Sequence, residues 1–360
     1  MTENKINVLV VDDSAVARMH LVHLLESDPQ LRVVGPVNDG QAALDFVQEN
    51  KPDVILMDVN MPGLDGFETT RRIMETQAVP VVICSGTTSP KDVASTFRVL
   101  EAGAIACVEK PVGREHPDYE RVAAELRQVV KLMAEVKVVR RWPGLRTAAA
   151  PAPVVAPRVG LGPEPAKVSL IGIGASTGGP PVLQTILAGL PKEFSVPILI
   201  VQHIAPGFLP GMVEWLNQTT GLRVHVAAHL FSPLPGHVYL APDDYHMGLS
   251  PGNRIVLSQE EPDEHLRPAV SYLFRSLARL CGPAAVGVLL TGMGKDGAAE
   301  LKLMRDHGAT TIAQDRESSV VHGMPGAAIA LGGATRVLPA DQIADALLTL
   351  IAHRNGGGEH

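Results

Sequence analysis

The sequence predicts an α/β protein of two domains, and three observations carry that expectation. Short β-branched runs alternate strictly with longer helical ones from Ile6 onward and again beyond Lys167. Such alternation means a parallel sheet covered on both faces. A stretch rich in Pro, Ala and Gly, "RRWPGLRTAAAPAPVVAPRVGLGPEPA", separates the two series. With 360 residues, 46% of them hydrophobic and 19% charged, each half is long enough to bury its own core. The expected organisation is a doubly wound unit over residues 1–139, a linker over 140–166, and a second α/β unit with a mostly parallel sheet over 167–354.

In chain order, the first unit reads as "INVLVVD", "VARMHLVHLLE", "LRVVGPV", "GQAALDFVQE", "DVILMDV", "ETTRRIME", "VPVVICS", "DVASTFRVLEAG" and "AIACVEK", strand and helix in turn. An amphipathic helix from about Tyr119 to Val139 closes it. The linker has no period that survives its prolines, so it reads as a semi-rigid spacer. The second unit follows as "VSLIGIG", "PVLQTILAGL", "VPILIVQ", "GMVEWLNQ", "HVYLA", "RIVLS", "AVSYLFRSLARL", "AVGVLLTG", "AAELKLMRDHG" and "TTIAQ". A helix around Ala340 to His353 ends it, and the tail "NGGGEH" reads as disordered.

Composition excludes several classes. No apolar run nears the roughly 20 residues of a membrane span, and the polar start "MTENK" lacks a signal peptide's apolar segment. A cytoplasmic protein without membrane insertion is therefore expected. Cys84, Cys107 and Cys281 form no CxxC pair and read as small core residues. The formal charge of -7, with no helix-turn-helix signal and no basic output domain, speaks against nucleic acid as a partner. His225 and His229 stand four apart, but without acids placed to complete a metal site.

Four strand ends of the first unit, with five residues between them, carry chemistry. Asp12 and Asp13 follow "VLVV", Asp58 follows "VILM", Ser85 follows "VVIC" and Lys110 follows "ACVE". Strand carboxyl ends of an open parallel sheet converge on one crevice, so these groups share a pocket. Clustered carboxylates repel, and a hard cation such as Mg²⁺ relieves the repulsion. With metal and Lys110 neutralising charge, Asp58 is placed to attack a phosphoryl group. Any single acid there could instead be a helix N-cap.

The set "VDDS", "MDVNMPGLDG", "CSG" and "EKP" resembles the flavodoxin-like receiver domain of two-component response regulators, over residues 5 to 113. The resemblance implies that Asp58 is the phosphoacceptor. Asp13, Asp58 and the backbone carbonyl of Asn60 would hold Mg²⁺, Asp12 would support them, and Ser85 and Lys110 would contact the phosphoryl group. Receivers usually place an aromatic switch residue where this chain has Cys107.

In the second unit "IGIGASTGGPP" runs an apolar strand into a glycine-rich turn. A dinucleotide fingerprint fails, because Thr177 stands where the third glycine belongs. Read literally, Gly174 to Gly178 is G-x-S-x-G, an elbow that exposes the Ser176 hydroxyl above a sheet. A serine needs a base, and a base needs an orienting group. His203 ends the next strand, and Asp296 lies in "LLTGMGKDGAAE", after another apolar strand. Taken singly, each could be a cap or a loop residue. The order Ser, His, Asp departs from the Ser, Asp, His of ordinary α/β-hydrolases.

That order, with "GASTGGP", "VQHIAPGF", "PGHVYLAPDDYHM", "GVLLTGMGKDGA" and "TIAQDRESSVVHGMPGAAI", resembles the catalytic domain of the chemotaxis response-regulator protein-glutamate methylesterases, over residues 168 to 350. The resemblance implies hydrolysis of γ-glutamyl methyl esters on the cytoplasmic helices of chemoreceptors, deamidation of receptor glutamines, and no cofactor for the ester reaction. The phosphodonor would be a chemotaxis histidine kinase. Ser176 would be the nucleophile, His203 the base and later acid, and Asp296 the orienter. The Met293 N–H would be an oxyanion donor, with Thr177 close to the same site. One stretch departs from the family: its "H-R-P-S-V-D" appears as "LRPAVS", with Leu266 and Ser271 at positions that lie outside the triad motifs. The competing reading is a receiver joined to a binding module without esterase activity.

Overall fold

The computed structural model describes residues 5–86, 97, 99–111, 113, 115, 116, 119–136, 138, 166–263 and 265–355. Residues 140–165 of the expected linker and residues 356–360 of the tail lie outside that set.

In the first unit, β1 (Ile6–Val11), β2 (Leu31–Val37), β3 (Val54–Met57), β4 (Val81–Ser85) and β5 (Ala106–Glu109) form a parallel sheet in the order β2-β1-β3-β4-β5. That doubly wound order places a switch point between β1 and β3. The helices α1 (Ala15–Glu26), α2 (Gly40–Glu49) and α3 (Gly66–Thr76) begin where short polar side chains accept the first free amides. Ser14 Oγ accepts from the Ala17 amide at 3.3 Å, Asp39 from Ala42 at 2.8 Å, and Asp65 from Glu68 at 2.8 Å. Caps are therefore Asp39 and Asp65, while Asp12, Asp13 and Asp58 are left for another task. Phe97 and residues 99–102 are helical. α4 (Tyr119–Ala134) is shorter than the sequence predicts. Beyond it the Glu135 and Val136 amides fall back on the Leu132 and Met133 carbonyls at 3.2 Å, a tightened turn that ends the helix.

The second unit is a seven-stranded, wholly parallel sheet in the order β14-β13-β12-β6-β7-β9-β8. Its strands are β6 (Leu170–Ala175), β7 (Ile198–Gln202), β8 (Arg223–Val226), β9 (His237–Leu240), β12 (Ala285–Leu289), β13 (Thr310–Gln314) and β14 (Arg336–Leu338). Between β9 and β12, β10 (His246–Ser250) and β11 (Arg254–Ser258) pair as an antiparallel hairpin outside that sheet. Helices α5 (Gly179–Ala188), α6 (Leu209–Thr220) and α10 (Ala340–Asn355) cover one face through Leu183, Ile186, Met212, Leu216 and Leu347. On the other face, α7 (Val270–Leu280), α8 (Ala298–Asp306) and α9 (Met324–Ala330) pack Phe274, Leu277, Leu301 and Met304. Burial of these apolar side chains, each contributing roughly 1.5–3 kcal/mol, fixes the layers. The first strand, β6, lies between β7 and β12, so the strand ends on either side of it open onto the site.

The two units touch. The Phe97 ring stacks on Trp215 of α6 with centroids 5.5 Å apart, and Trp215 Nε1 donates to Glu101 Oε1 at 2.6 Å. One apolar cluster runs from Val59, Met61 and Leu100 to Phe208 and Met212. No helix of the described residues is long and apolar enough to cross a membrane.

Candidate functional site

At the carboxyl edge of the first sheet, oxygens of Asp12, Asp13 and Asp58 lie within 4.8 Å of one another. Lys110 Nζ bridges two of them, 2.8 Å from Asp12 Oδ2 and 2.9 Å from Asp58 Oδ2. Burial pushes the Asp58 carboxyl up, against the pull of Lys110. Burial alone would lower Lys110, but Asp12 and Asp58 outweigh it and hold the ammonium above its ordinary range. Ser85 is buried at the end of β4, next to β3 and β5. The sequence-predicted group is thus gathered on one crevice. Three carboxylates at this spacing are a hard-oxygen set that fits Mg²⁺. Asn60 is exposed two residues beyond Asp58. Cys107 is half-buried on β5, where Cα pairing sets it beside Ile83.

The second crevice begins at the end of β6. Ala175 is paired with Gln202, so Ser176 and His203 leave adjacent strands side by side. The His203 amide donates to the Ala175 carbonyl at 2.9 Å. Gln202, buried between them, donates through Nε2 to the carbonyls of Ser176 at 2.9 Å and His203 at 2.7 Å, clasping both backbones. Gly178 adopts φ +76, a left-handed turn that turns the chain sharply into α5, and a Cβ there would lie 2.5 Å from Val320. Among the first three residues of α5 only Gly179 carries an N–H, since Pro180 and Pro181 have none, and it donates to the Ser176 carbonyl at 2.8 Å, which pins the turn.

The acid comes from the loop after β12. His203 Nε2 lies 2.9 Å from Asp296 Oδ2, an ion-pair distance, with the N–H off line for a straight hydrogen bond. Nδ1 is therefore the ring nitrogen left for the serine. No hydrogen bond joins the Ser176 hydroxyl to that ring among the described residues; such contacts in unliganded enzymes often tighten only when substrate binds.

Asp296 is 5% exposed and fully engaged. Oδ2 accepts from the Val270 amide at 2.7 Å. Oδ1 accepts from the Ser271 amide at 2.9 Å and the Ser271 hydroxyl at 2.5 Å. Since the cap residue of α7, Ala269, has no side chain that can accept, the Asp296 carboxylate caps that helix from 25 residues away. Burial would push the carboxyl up; His203 and the Ser271 donors outweigh it and hold it below its ordinary value. Sequence reasoning set Ser271 outside the triad motifs, yet it touches the acid directly. Only the fold, by aiming the start of α7 at the loop after β12, reveals it. Leu266, the other departure, instead pairs with Asp263 in a tight turn.

The expected oxyanion donors sit where the two loops meet. Thr291 Oγ1 donates to the Thr177 carbonyl at 3.0 Å, and the Ser176 amide donates to the Thr291 carbonyl at 3.0 Å. The Met293 and Thr177 amides have no acceptor among the described residues. His225 and His229 do not converge: His225 Nε2 meets His237 Nδ1 at 2.9 Å, while His229 Nδ1 accepts from the Leu257 amide at 3.1 Å.

Fold and site together define a class: a phosphoacceptor-type receiver joined to an α/β domain that collects serine, histidine and aspartate at its switch point. Residues 8–117 match the response regulator receiver domain family and residues 171–347 match the CheB methylesterase family. A relative from Nitrosospira multiformis, named protein-glutamate methylesterase/protein-glutamine glutaminase, is 52% identical over 97% of this chain and 98% of its own length. A Geobacter metallireducens relative of the same name, numbered 4, is 52% identical over 96% of this chain and 99% of its own. The crystal structure of the Thermotoga maritima CheB methylesterase catalytic domain is 38% identical, covering 51% of this chain and 99% of that one with a TM-score of 0.50. The chain belongs to the protein-glutamate methylesterase/protein-glutamine glutaminase family.

Proposed function

We propose that the chain hydrolyses glutamyl methyl esters, and deamidates selected glutamines, on the cytoplasmic helices of chemoreceptors, under control of phosphorylation at Asp58 by a chemotaxis histidine kinase. The observation that carries this reading is the 2.9 Å approach of His203 to Asp296 beside a serine that leaves the neighbouring strand in register. Ser176 Oγ attacks the ester carbonyl and gives its proton to His203 Nδ1, while Asp296 stabilises the imidazolium through Nε2. The tetrahedral oxygen takes its negative charge against the amides of Met293 and Thr177. Collapse expels methanol, or ammonia from a glutamine, with the proton from His203. Water, deprotonated by the same ring, then attacks the acyl-enzyme and frees glutamate and Ser176. Losing one oxyanion donor should cost about 10²–10³ in rate.

In the receiver, Asp13, Asp58 and the Asn60 carbonyl would hold Mg²⁺, with Asp12 behind them. The ion, when bound, neutralises charge on the phosphoryl oxygens. Lys110 and the Ser85 hydroxyl contact the same group, and Asp58 attacks it. Phosphorylation weakens the contact in which Phe97 and Glu101 hold Trp215, and so uncovers the second crevice. We take residues 1–139 as the regulatory domain, 140–166 as its linker and 167–354 as the hydrolase.

Methanol release from methylated chemoreceptor membranes tests this. Wild type should release it, faster with a phosphodonor, and Ser176→Ala should not. Equal release by both would end the triad reading.

A further inference from the structure

Three donors converge on the buried Asp296 carboxylate from the first turn of α7, and one of them is a side chain. Ser271 Oγ donates to Asp296 Oδ1 at 2.5 Å and accepts from the Gly297 amide at 3.0 Å, so it ties the acid to the backbone immediately beyond it. Both partners are nearly closed to solvent, Ser271 at 8% and Asp296 at 5% exposure. The serine hydroxyl, with one donor and accepting lone pairs, satisfies both neighbours at once. The two Ser271 bonds occupy Oδ1, which leaves Oδ2 as the oxygen that meets His203 Nε2.

We propose that Ser271 is a positioning residue of the hydrolytic site: its hydroxyl fixes the rotation of the Asp296 carboxylate, so that Oδ2 stays against the His203 ring through the reaction. This rests on the reading that Ser176, His203 and Asp296 form the catalytic set. Without the hydroxyl, Oδ1 keeps only the Ser271 amide and Oδ2 the Val270 amide, the Gly297 amide loses its acceptor, and the carboxylate, held by two donors in place of three, is less tightly fixed against the ring. A hydrogen bond to a charged group in such a buried place is among the stronger ones. Its loss acts on the proton transfer, because Ser271 lies beside the acid and not beside the serine.

The test compares the full-length chain with Ser271→Ala, Ser271→Thr and Asp296→Asn. It measures kcat and KM for methanol release from methylated receptor membranes, the labelling rate of Ser176 by a fluorophosphonate, and the thermal unfolding midpoint. Ser271→Ala should lower kcat and labelling about 10- to 100-fold with KM unchanged. Ser271→Thr, which keeps the hydroxyl, should recover most of the rate. Wild-type kcat in Ser271→Ala, or a loss that Thr fails to restore while the unfolding midpoint stays at the wild-type value, overturns the proposal. So does a loss that tracks the unfolding midpoint alone across the variants. Asp296→Asn separates the two levels: an inactive Asn variant beside a fully active Ala variant refutes the role of Ser271 alone, whereas a fully active Asn variant refutes the triad.

Discussion

Gly292 stands behind Ser176, the proposed nucleophile, and adding one methyl group there is a direct probe of how closely that serine must be held. A Cβ on Gly292 would lie 2.7 Å from Ser176 Cβ, 3.2 Å from the Ser176 amide nitrogen and 2.3 Å from Met324 Sδ. The methionine is flexible and can yield. Ser176 cannot yield easily, because its amide is bonded to Thr291 and its carbonyl to Gln202 and the Gly179 amide. Ordinary contact begins near 3.4 Å, so 2.7 Å leaves a shortfall of ~0.7 Å to be taken up by the elbow. Overpacking of this kind costs about 1–3 kcal/mol of stability. A displacement near 1 Å in a reacting group costs about 10²-fold in rate. Gly292→Ala should therefore fold, unfold a few degrees earlier, and label with a fluorophosphonate about 100-fold more slowly. Wild-type labelling by a variant with this methyl group would refute the claim that the serine is held by the loop after β12.

Trp215→Ala removes both the stack on Phe97 and the bond to Glu101, together about 2–4 kcal/mol of contact between the units. Methanol release without a phosphodonor should rise at least severalfold, and the rate with phosphodonor should change little. Addition of Mg²⁺ should raise the thermal midpoint of the receiver by offsetting the repulsion among Asp12, Asp13 and Asp58, and Asp13→Asn should abolish that rise in a calorimetric scan. Asp296 is held below its ordinary carboxyl value of 3.8, so its contribution to stability is complete above that value and is lost as pH falls toward its lowered value in the fold. In acid unfolding, Asp296→Asn should be less stable than wild type at neutral pH and converge on it below pH 3.8.

The grouping of the candidate residues was legible wherever they follow a strand's carboxyl end, because a parallel sheet sends those ends to one edge. Asp12, Asp58, Ser85 and Lys110 lie at one such edge, and Ser176 and His203 at the other. Short strands were harder. β8, β10 and β14 carry few residues, and in β8 only Val224 is buried while Arg223, His225 and Val226 are exposed, which gives no apolar run to detect. Contacts between distant segments were not legible. Ser271 meets Asp296 across 25 residues and Trp215 meets Glu101 across 114, and neither pair has a local pattern that marks it. The end of α4 escaped for a different reason, since the apolar period continues past Ala134 while the backbone tightens into a turn.

The carboxylate that steadies His203 also closes the open end of α7. Docking of that helix and placement of Asp296 beside His203 are consequently tied through one carboxylate. A chain in which the hydrophobic layers have collapsed but α7 has not docked carries a serine and an imidazole with nothing to polarise them. On the proposed triad, such an intermediate would lack the carboxylate that readies His203 to activate Ser176.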